Sequence, residues 1–187
     1  MTDFTLNPSP PIIGQPIEIG AATLANPQPK TILSITPFHA QSTAVNKALR
    51  SAIQLELPET GMVNANDSLR VMWAGQAQWF VIGTVHAADL NKSLTGKAAI
   101  TDQTDGWTVF TLSGLDAAEV MSRLTPLDLS SLNDGQTARA EFAHMLASIS
   151  SLPNGFEVMV MRSFAQTAKH HFCEAMTKLA AQRALTS

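Results

Sequence analysis

Apolar residues recur along this chain with two different spacings, which separate predicted strands from predicted helices. Alternation of apolar and polar positions predicts a strand through Leu69, Val71 and Trp73, which turns near "AGQA" and returns through residues 78–82 as a hairpin. Spacings of three and four predict four helices. Their apolar stripes are Val45, Ala48, Leu49, Ala52 and Ile53; Ala87, Leu90 and Leu94; Ala117, Val120, Met121 and Leu124; and Ala168, Phe172, Ala175, Met176 and Leu179.

Further strands are predicted on both sides of these elements. Two β-type runs cover residues 17–23 and 31–37, separated by the turn sequence "ANPQP". A later pair covers roughly residues 138–150 and 156–161, joined by "SLPNG". The predicted strands near Trp79, Trp107 and Phe156 are each followed by a predicted helix, which gives three strand-to-helix units. The sequence therefore predicts an α+β fold with mixed or antiparallel sheets covered by helices.

The order of these elements predicts two small lobes preceded by an arm. Residues 1–16 are too rich in proline for a helix and are expected to extend over another surface. Residues 17–97 form the predicted N-terminal lobe and residues 98–187 the C-terminal lobe. Each lobe alone would bury a marginal core, so the two should share an interface.

The amino-acid composition and net charge indicate which kinds of molecule this protein could bind. Apolar residues make up 45% of the 187 residues and charged residues only 14%, so part of the surface is expected to meet another protein. The net charge of −3 and the lack of a Lys/Arg run argue against nucleic acid and anionic membrane as partners. The N-terminus lacks the pattern of a signal peptide and no apolar run approaches membrane-spanning length, so a cytoplasmic protein is expected.

Two pairs of ionisable residues are candidates for acid/base chemistry. Asp102 and Asp105 flank "QT" ahead of a predicted strand, where an Asp more often caps its own backbone in a turn than takes part in catalysis. Glu141 and His144 lie three apart on a predicted strand, which would direct them to opposite faces. The sequence therefore favours a turn in the first case and no pair in the second.

A metal or nucleotide site is not indicated. His170 and His171 are adjacent on a predicted helix and diverge by roughly 100°, with His170 toward solvent and His171 at the edge of the apolar stripe. Cys173 is the only cysteine, so it cannot form an intrachain disulfide, and its apolar neighbours indicate burial. Neither a phosphate-binding loop nor a dinucleotide fingerprint occurs.

One long segment carries a family resemblance. The run "DQTDGWTVFTLSGLDAAEVMSRLTPLDL", followed by a loop, a β-pair and "FEVMVMRSFAQTAKHHFCEAM", resembles the gamma subunit of heterotetrameric sarcosine oxidase. The resemblance covers roughly residues 68–182. Its most specific parts are Gly114, "PLDL" at 126–129 and "RSFA" at 162–165.

The resemblance implies a fold similar to the folate-binding aminomethyltransferase of the glycine cleavage system, the T-protein. In that enzyme an acidic residue on a later β-segment engages the folate. The segment "AHMLASISS" has no carboxylate, and Met145 and Leu146 lie where the acid would be wanted. The resemblance therefore implies that the scaffold is kept and the catalytic group lost.

It further implies an accessory chain without a cofactor, a metal or a catalytic residue of its own. The alpha and beta subunits of such a complex would hold FAD, FMN, NAD and tetrahydrofolate, and the complex would oxidise sarcosine to glycine, reduce oxygen to hydrogen peroxide and transfer the one-carbon unit to tetrahydrofolate. The expected partners are the alpha, beta and delta subunits. Two alternatives stay open: a free-standing folate-binding enzyme in which Asp102 or Glu141 supplies the acid, and an interaction module of another dehydrogenase complex.

Structural roles are expected for six residues, which are Asp102, Gly114, Pro126, Asp128, Arg162 and Ser163. We expect Arg162 and Asp128, each just beyond the end of an element, to form a buried ion pair. Ser163 and Gln166 have the spacing of a capping box at the start of the last helix. The remaining structural residues of the motif are Asp102, Gly114 and Pro126.

Overall fold

Two antiparallel sheets pack face to face in a computed structural model of the chain, which describes residues 11–12, 14–27 and 31–186. All strand pairings within the sheets are antiparallel. Helices cover the outer face of each sheet, so the layers follow the order helix, sheet, sheet, helix. The predicted α+β class is confirmed.

The first sheet has five strands in the order β4-β5-β6-β3-β7. These strands are β3 (Thr31–Pro37), β4 (Val63–Ala65), β5 (Leu69–Gly75), β6 (Gln78–Gly83) and β7 (Ala98–Asp102). Two helices, α1 (Ser42–Ile53) and α2 (Ala87–Leu94), pack on its outer face through Val45, Leu49, Leu90 and Leu94. Their bounds agree with the predicted apolar stripes, and Gly96 after α2 adopts a left-handed conformation with a φ of 72°.

The second sheet has six strands in the order β1-β2-β8-β11-β10-β9. These strands are β1 (Ile17–Ile19), β2 (Ala22–Ala25), β8 (Trp107–Ser113), β9 (Thr137–Phe142), β10 (Met145–Leu152) and β11 (Gly155–Met161). Its outer face is covered by α3 (Ala117–Ser122) and α4 (Ala165–Thr186). Phe172 of α4 lies against Phe110 and Phe142 at the centre of this core.

The inner faces of the sheets share a small apolar core. Ile32, Met72 and Phe80 of the first sheet pack against Val109 and Met159 of the second. Because alternate residues of a strand face opposite sides, the same strands also supply the outer cores, as β8 does with Phe110 and Leu112. Strands buried on both faces explain the nearly continuous apolar runs in the sequence.

The sheets divide the chain differently from the predicted lobes. Strands β1 and β2 precede the first sheet in the chain but join the second, where β2 pairs with β8. Strand β7 begins at Ala98, beyond the predicted boundary, and pairs with β3 of the first sheet. The pairing of β2 with β8 therefore ties the start of the chain to its C-terminal part.

Two predicted strands are each divided by a turn. The run 17–23 is broken at Gly20, which has a φ of 61°, and becomes β1 and β2. The run 138–150 is broken at Ala143 and His144, whose φ values of 45° and 66° make a two-residue hairpin between β9 and β10. Neither residue of the second turn is a Gly or Asn, so the usual turn signal is missing.

The end of the predicted arm packs on the chain itself. Gln166 Nε2 donates to the Pro11 carbonyl at 2.9 Å, and Ile12 is buried in the core beneath α4. Residues 1–10 of the predicted arm lie outside the described residues. None of the helices in the described part of the chain combines the length and apolarity that a bilayer crossing needs.

Candidate functional site

A cavity of about 290 Å³ lies where the two sheets meet. Ile32, Arg70 and Ile82 of the first sheet line it from one side, and Val109 and Glu157 of the second sheet line it from the other. The remaining lining residues are Pro27 and residues 65–69, which run from the end of β4 through the turn to the start of β5. Its volume is close to the lower end of the range for small-molecule pockets.

Arg70 and Glu157 form an ion pair inside this cavity. The Arg70 Nη2 to Glu157 Oε1 distance is 2.5 Å, and the two side chains are 23% and 9% exposed. Strand alternation brings both inward, because Arg70 pairs with Ile82 and Glu157 lies two residues before Met159. The pair therefore crosses from one sheet to the other and neutralises the buried carboxylate.

Side-chain hydrogen bonds hold the rim of the cavity in place. Asn66 Oδ1 accepts hydrogen bonds from the backbone N–H groups of Ser68 and Leu69, and Asn66 Nδ2 donates to the carbonyl of Ile53 at the end of α1. On the opposite side, Asn26 Nδ2 donates to the Val109 carbonyl. The mouth is thus built from short polar turns anchored on the sheets and on α1.

A second buried carboxylate lies far from the cavity, in the layer of α3. Asp116 accepts from the backbone N–H of Ala21 at 3.2 Å and pairs with Arg183 of α4 at 2.8 Å. Asp116 and Glu157 are the buried acidic residues among those described, and each has an arginine partner. Neither carboxylate is available as a free base.

Asp102 and Asp105 lie near the start of β8, outside the cavity. Asp102 Oδ1 accepts from the Thr104 backbone N–H at 2.9 Å, and hydrogen bonding to Thr104 lowers the pKa of Asp102. Asp105 is 82% exposed. This geometry supports the turn interpretation and places neither residue where it could act on a ligand in the cavity.

The predicted ion pair between Arg162 and Asp128 is wrong. Arg162 Nη1 lies 3.6 Å from Asp105 Oδ1 at the surface. Asp128 is exposed and begins a 3₁₀ turn at Leu129–Ser131, where its Oδ1 accepts from the backbone N–H and Oγ of Ser130. These hydrogen bonds lower the pKa of Asp128. Both residues do lie at the ends of elements, but the elements do not bring them together.

The predicted capping box is also wrong. A 3₁₀ turn at Arg162–Phe164 comes directly before α4, which begins at Ala165, so Ser163 lies inside that turn and not at the N-cap of the helix. Gln166 uses its side-chain amide to bind Pro11 instead. Pro126 is exposed in the loop after α3, four residues beyond the end of that helix.

Gly114 lies in a turn that leaves no room for a side chain. Its φ is 104°, and a Cβ added at this position would lie 2.2 Å from the carbonyl oxygen of Ala21. The turn from β8 into α3 therefore requires glycine, because it packs directly against the backbone of the turn between β1 and β2.

The sequence argument against a contact between Glu141 and His144 is wrong. Because the hairpin turn falls at Ala143 and His144, the imidazole Nδ1 of His144 lies 3.1 Å from Glu141 Oε1. The side chains are 94% and 56% exposed and lie outside the cavity lining. The pair is therefore a surface contact.

The last helix places His170 and His171 as predicted, whereas Cys173 is less buried than expected. His170 is exposed, His171 is half-buried, and their rings are 5.7 Å apart. Cys173 is partly buried against the core beneath α4. No group of three or more potential metal ligands occurs among the described residues.

The sequence interpretation missed the ion pair inside the cavity, whose lining also includes the exposed Asp67. Glu157 is the single charged residue of "GFEVMVM", and Arg70 is the single charged residue of "LRVMWAG". A lone charge in an otherwise apolar strand is a signal for a paired, buried group. That signal could have identified both residues, but not their contact with each other.

Known structures share this arrangement of sheets and helices. A chain of heterotetrameric sarcosine oxidase from Corynebacterium sp. U-96 superposes with a TM-score of 0.77 at 20% identity, and the match covers 88% of each chain. The two have the same fold. Aminomethyltransferase T of the glycine cleavage system from Bartonella henselae superposes with a TM-score of 0.63 at 15% identity over 82% of this chain. This chain spans 46% of that enzyme's length.

The comparisons confirm the fold that the resemblance implied. No protein-family model matches the chain, and no curated protein matches it by sequence. The similarity is therefore one of structure. At sequence identities this low, two proteins can share a fold and still differ in function.

Proposed function

We propose that this chain is an accessory subunit of a sarcosine-oxidising heterotetramer, which it helps to assemble and in which it supplies no catalytic group. The observation that carries the proposal is the match in fold and extent with a chain of heterotetrameric sarcosine oxidase, 88% of each chain at a TM-score of 0.77. In this proposal the alpha, beta and delta subunits are the partners. FAD, FMN, NAD and tetrahydrofolate are held by chains other than this one.

The ion pairs of the two buried carboxylates support the proposal that this chain supplies no catalytic group. A general acid or base must be free to exchange a proton with a substrate at hydrogen-bond distance. Glu157 is bound to Arg70 inside the cavity, and Asp116 is bound to Arg183 and the Ala21 backbone. The exposed pairs formed by Asp105 and by Glu141 lie outside the cavity lining.

A purification from the source organism tests the accessory role. A tagged copy of the chain should co-purify with three other kinds of chain, and the assembly should consume oxygen and release hydrogen peroxide when sarcosine is added. The chain purified alone should show neither activity. Co-purification of an assembly that does not oxidise sarcosine would favour the interaction module of another complex.

A second candidate function is binding of a folate in the cavity between the sheets. The observation that favours it is the polar pair at the cavity wall, because a carboxylate and a guanidinium together can bind a heterocycle with N–H donors and an anionic group. In this second candidate function the acidic residue that binds the folate is Glu157, and not Asp102 or Glu141 as the sequence suggested.

Calorimetric titration of the isolated chain with tetrahydrofolate decides between the candidates. Heat of binding that disappears in Glu157→Gln but persists in Glu141→Gln would establish the folate site. The accessory role predicts no heat and no thermal shift in the wild-type chain.

A further inference from the structure

The guanidinium of Arg139, on β9, is only partly satisfied. Its Nη1 is buried and has no hydrogen-bond acceptor among the described residues. The central carbon of the guanidinium lies 5.2 Å from the centre of the Trp107 ring. The Trp107 ring makes an edge-to-face contact with Phe80 of the five-stranded sheet, and the two ring centroids are 5.3 Å apart. The guanidinium is partly withdrawn from water, and this burial lowers the pKa of Arg139.

Strand register places Arg139 on the inner face of the six-stranded sheet. It pairs with Ser148, which pairs with Met159, a residue of the core between the sheets. Trp107 pairs with Met161 on the same face, because Met161 follows Met159 by two residues. Leu146 shares this face as well, two residues before Ser148.

The five-stranded sheet covers only part of this inner face. Met159 is fully buried, whereas Met161 is 53% exposed and Leu146 is 59% exposed. Trp107 and Arg139 lie at the border between the covered and uncovered parts. We call the group formed by Trp107, Arg139, Leu146 and Met161 the open end of the inner face.

Two described carboxylates near Arg139 and Trp107 contact other side chains. Glu141, two residues from Arg139 and on the same face, is bound to His144. Asp105, close to Trp107, is paired with Arg162. A guanidinium keeps its charge under all ordinary conditions, and a buried N–H without an acceptor is unfavourable. Charge complementarity therefore favours a carboxylate supplied by another molecule, next to apolar side chains that cover Leu146 and Met161.

We propose that the open end of the inner face binds a segment of a neighbouring subunit in which a carboxylate is flanked by apolar residues. The carboxylate accepts hydrogen bonds from the Arg139 guanidinium, and the apolar residues pack on Met161 and Leu146. This proposal rests on the accessory role proposed above, because it requires a neighbouring subunit.

Arg139→Met separates a docking role from a structural one. Methionine keeps an apolar stem over Trp107 but removes the N–H donors. We expect the isolated chain to keep its Tm, because the lost group has an unsatisfied donor. We expect affinity for the remaining subunits, purified from a strain that lacks this chain, to fall by about 30-fold or more, since a buried charge of the partner loses its counter-ion. A lower Tm with unchanged affinity would overturn the proposal.

Arg50→Met provides the matched control. Arg50 is an exposed arginine on α1, paired with Glu56 on the outer side of the other sheet. This variant should change neither the Tm nor the affinity appreciably. Equal losses of affinity in the two variants would show a general charge effect and overturn the assignment to Arg139.

Photo-crosslinking identifies the occupant. The photoreactive residue p-benzoylphenylalanine replaces Leu146 or Met161, and Leu115, which is 93% exposed at the start of α3, serves as the control position. We expect Leu146 and Met161 positions to crosslink to one segment of another subunit with an Asp or Glu nearby. Crosslinks to residues 1–10 of the same chain or to a second copy would overturn the proposal.

The outcomes distinguish this proposal from the proposed function. If the wild-type chain assembles with the other subunits but Arg139→Met binds equally well and no crosslink forms, the open end is not the interface and the accessory role stands. If the wild-type chain does not assemble at all, the accessory role fails, and the docking proposal fails with it.

Discussion

Arg70 on β5 and Glu157 on β11 are joined across the two sheets by a hydrogen-bonded ion pair, although they are 87 positions apart in the chain. The pair lies in the wall of the cavity and is mostly withdrawn from solvent. It contributes to the contact between the sheets and keeps the buried carboxylate engaged. The cavity and the joint between the sheets therefore depend on the same two residues.

Removing the guanidinium of this pair should destabilise the protein. Arg70→Met leaves the Glu157 carboxylate buried without its partner, and we expect the free energy of unfolding to fall by about 3 kcal/mol in urea denaturation. The double variant Arg70→Met/Glu157→Leu should recover much of this loss, because it removes the uncompensated charge. Purely additive effects of the two substitutions would show that the pair does not act as a unit.

Gly114→Ala should be much more disruptive than a matched glycine substitution. The new Cβ at position 114 would overlap the Ala21 carbonyl oxygen, whereas a Cβ at Gly135, which also has a positive φ, meets nothing within 4 Å. Both variants carry backbone strain of about 1 kcal/mol, and the overlap should cost Gly114→Ala at least about 2 kcal/mol more. Equal Tm values for the two variants would contradict the close packing of this turn.

Double-mutant cycles should assign the partner of Arg162. The coupling energy between Arg162 and Asp105 is expected to be about 0–1 kcal/mol, as for exposed ion pairs. The coupling between Arg162 and Asp128 should be zero within error, because Asp128 bonds to Ser130. A coupling of several kcal/mol between Arg162 and Asp128 would restore the buried pair that the sequence suggested.

The turn at Asp102 should contribute stability that depends on pH. Its folded-state pKa lies below the ordinary value of 3.8, so the contribution is fully present above that value and is lost as the pH falls through the folded pKa. Asp102→Asn should therefore differ from wild type in stability at pH 7, and this difference should shrink in acid. Urea denaturation between pH 7 and pH 2 measures it, and a constant difference would exclude the linkage.

Local patterns predicted the elements more reliably than the contacts between them. The bounds of β3, Thr31–Pro37, agree with the β-type run predicted over residues 31–37, and the stripe at Val45 and Leu49 marks the buried side of α1. Period and turn chemistry are local properties, so a short window of sequence contains them. The hairpin at Ala143 and His144 was missed because neither residue is the Gly, Asn or Asp that usually marks a two-residue turn.

The errors about the site have a non-local origin. Nothing near β2 indicates that it pairs with β8, and nothing near Arg70 indicates that Glu157 lies opposite. Arg162 and Asp128 were paired because both follow the ends of elements, but that similarity does not determine their separation in space. The identity of each charge is visible in the sequence, whereas its partner depends on how the two sheets pack.

The most direct test of the accessory role is native mass spectrometry of the assembly purified through this chain, combined with an assay for sarcosine-dependent hydrogen peroxide. The account predicts an assembly in which this 20.0 kDa chain is present with three other kinds of chain, and sarcosine oxidation by that assembly but not by the isolated chain. A chain that purifies only as a monomer, or an assembly that does not oxidise sarcosine, would contradict it.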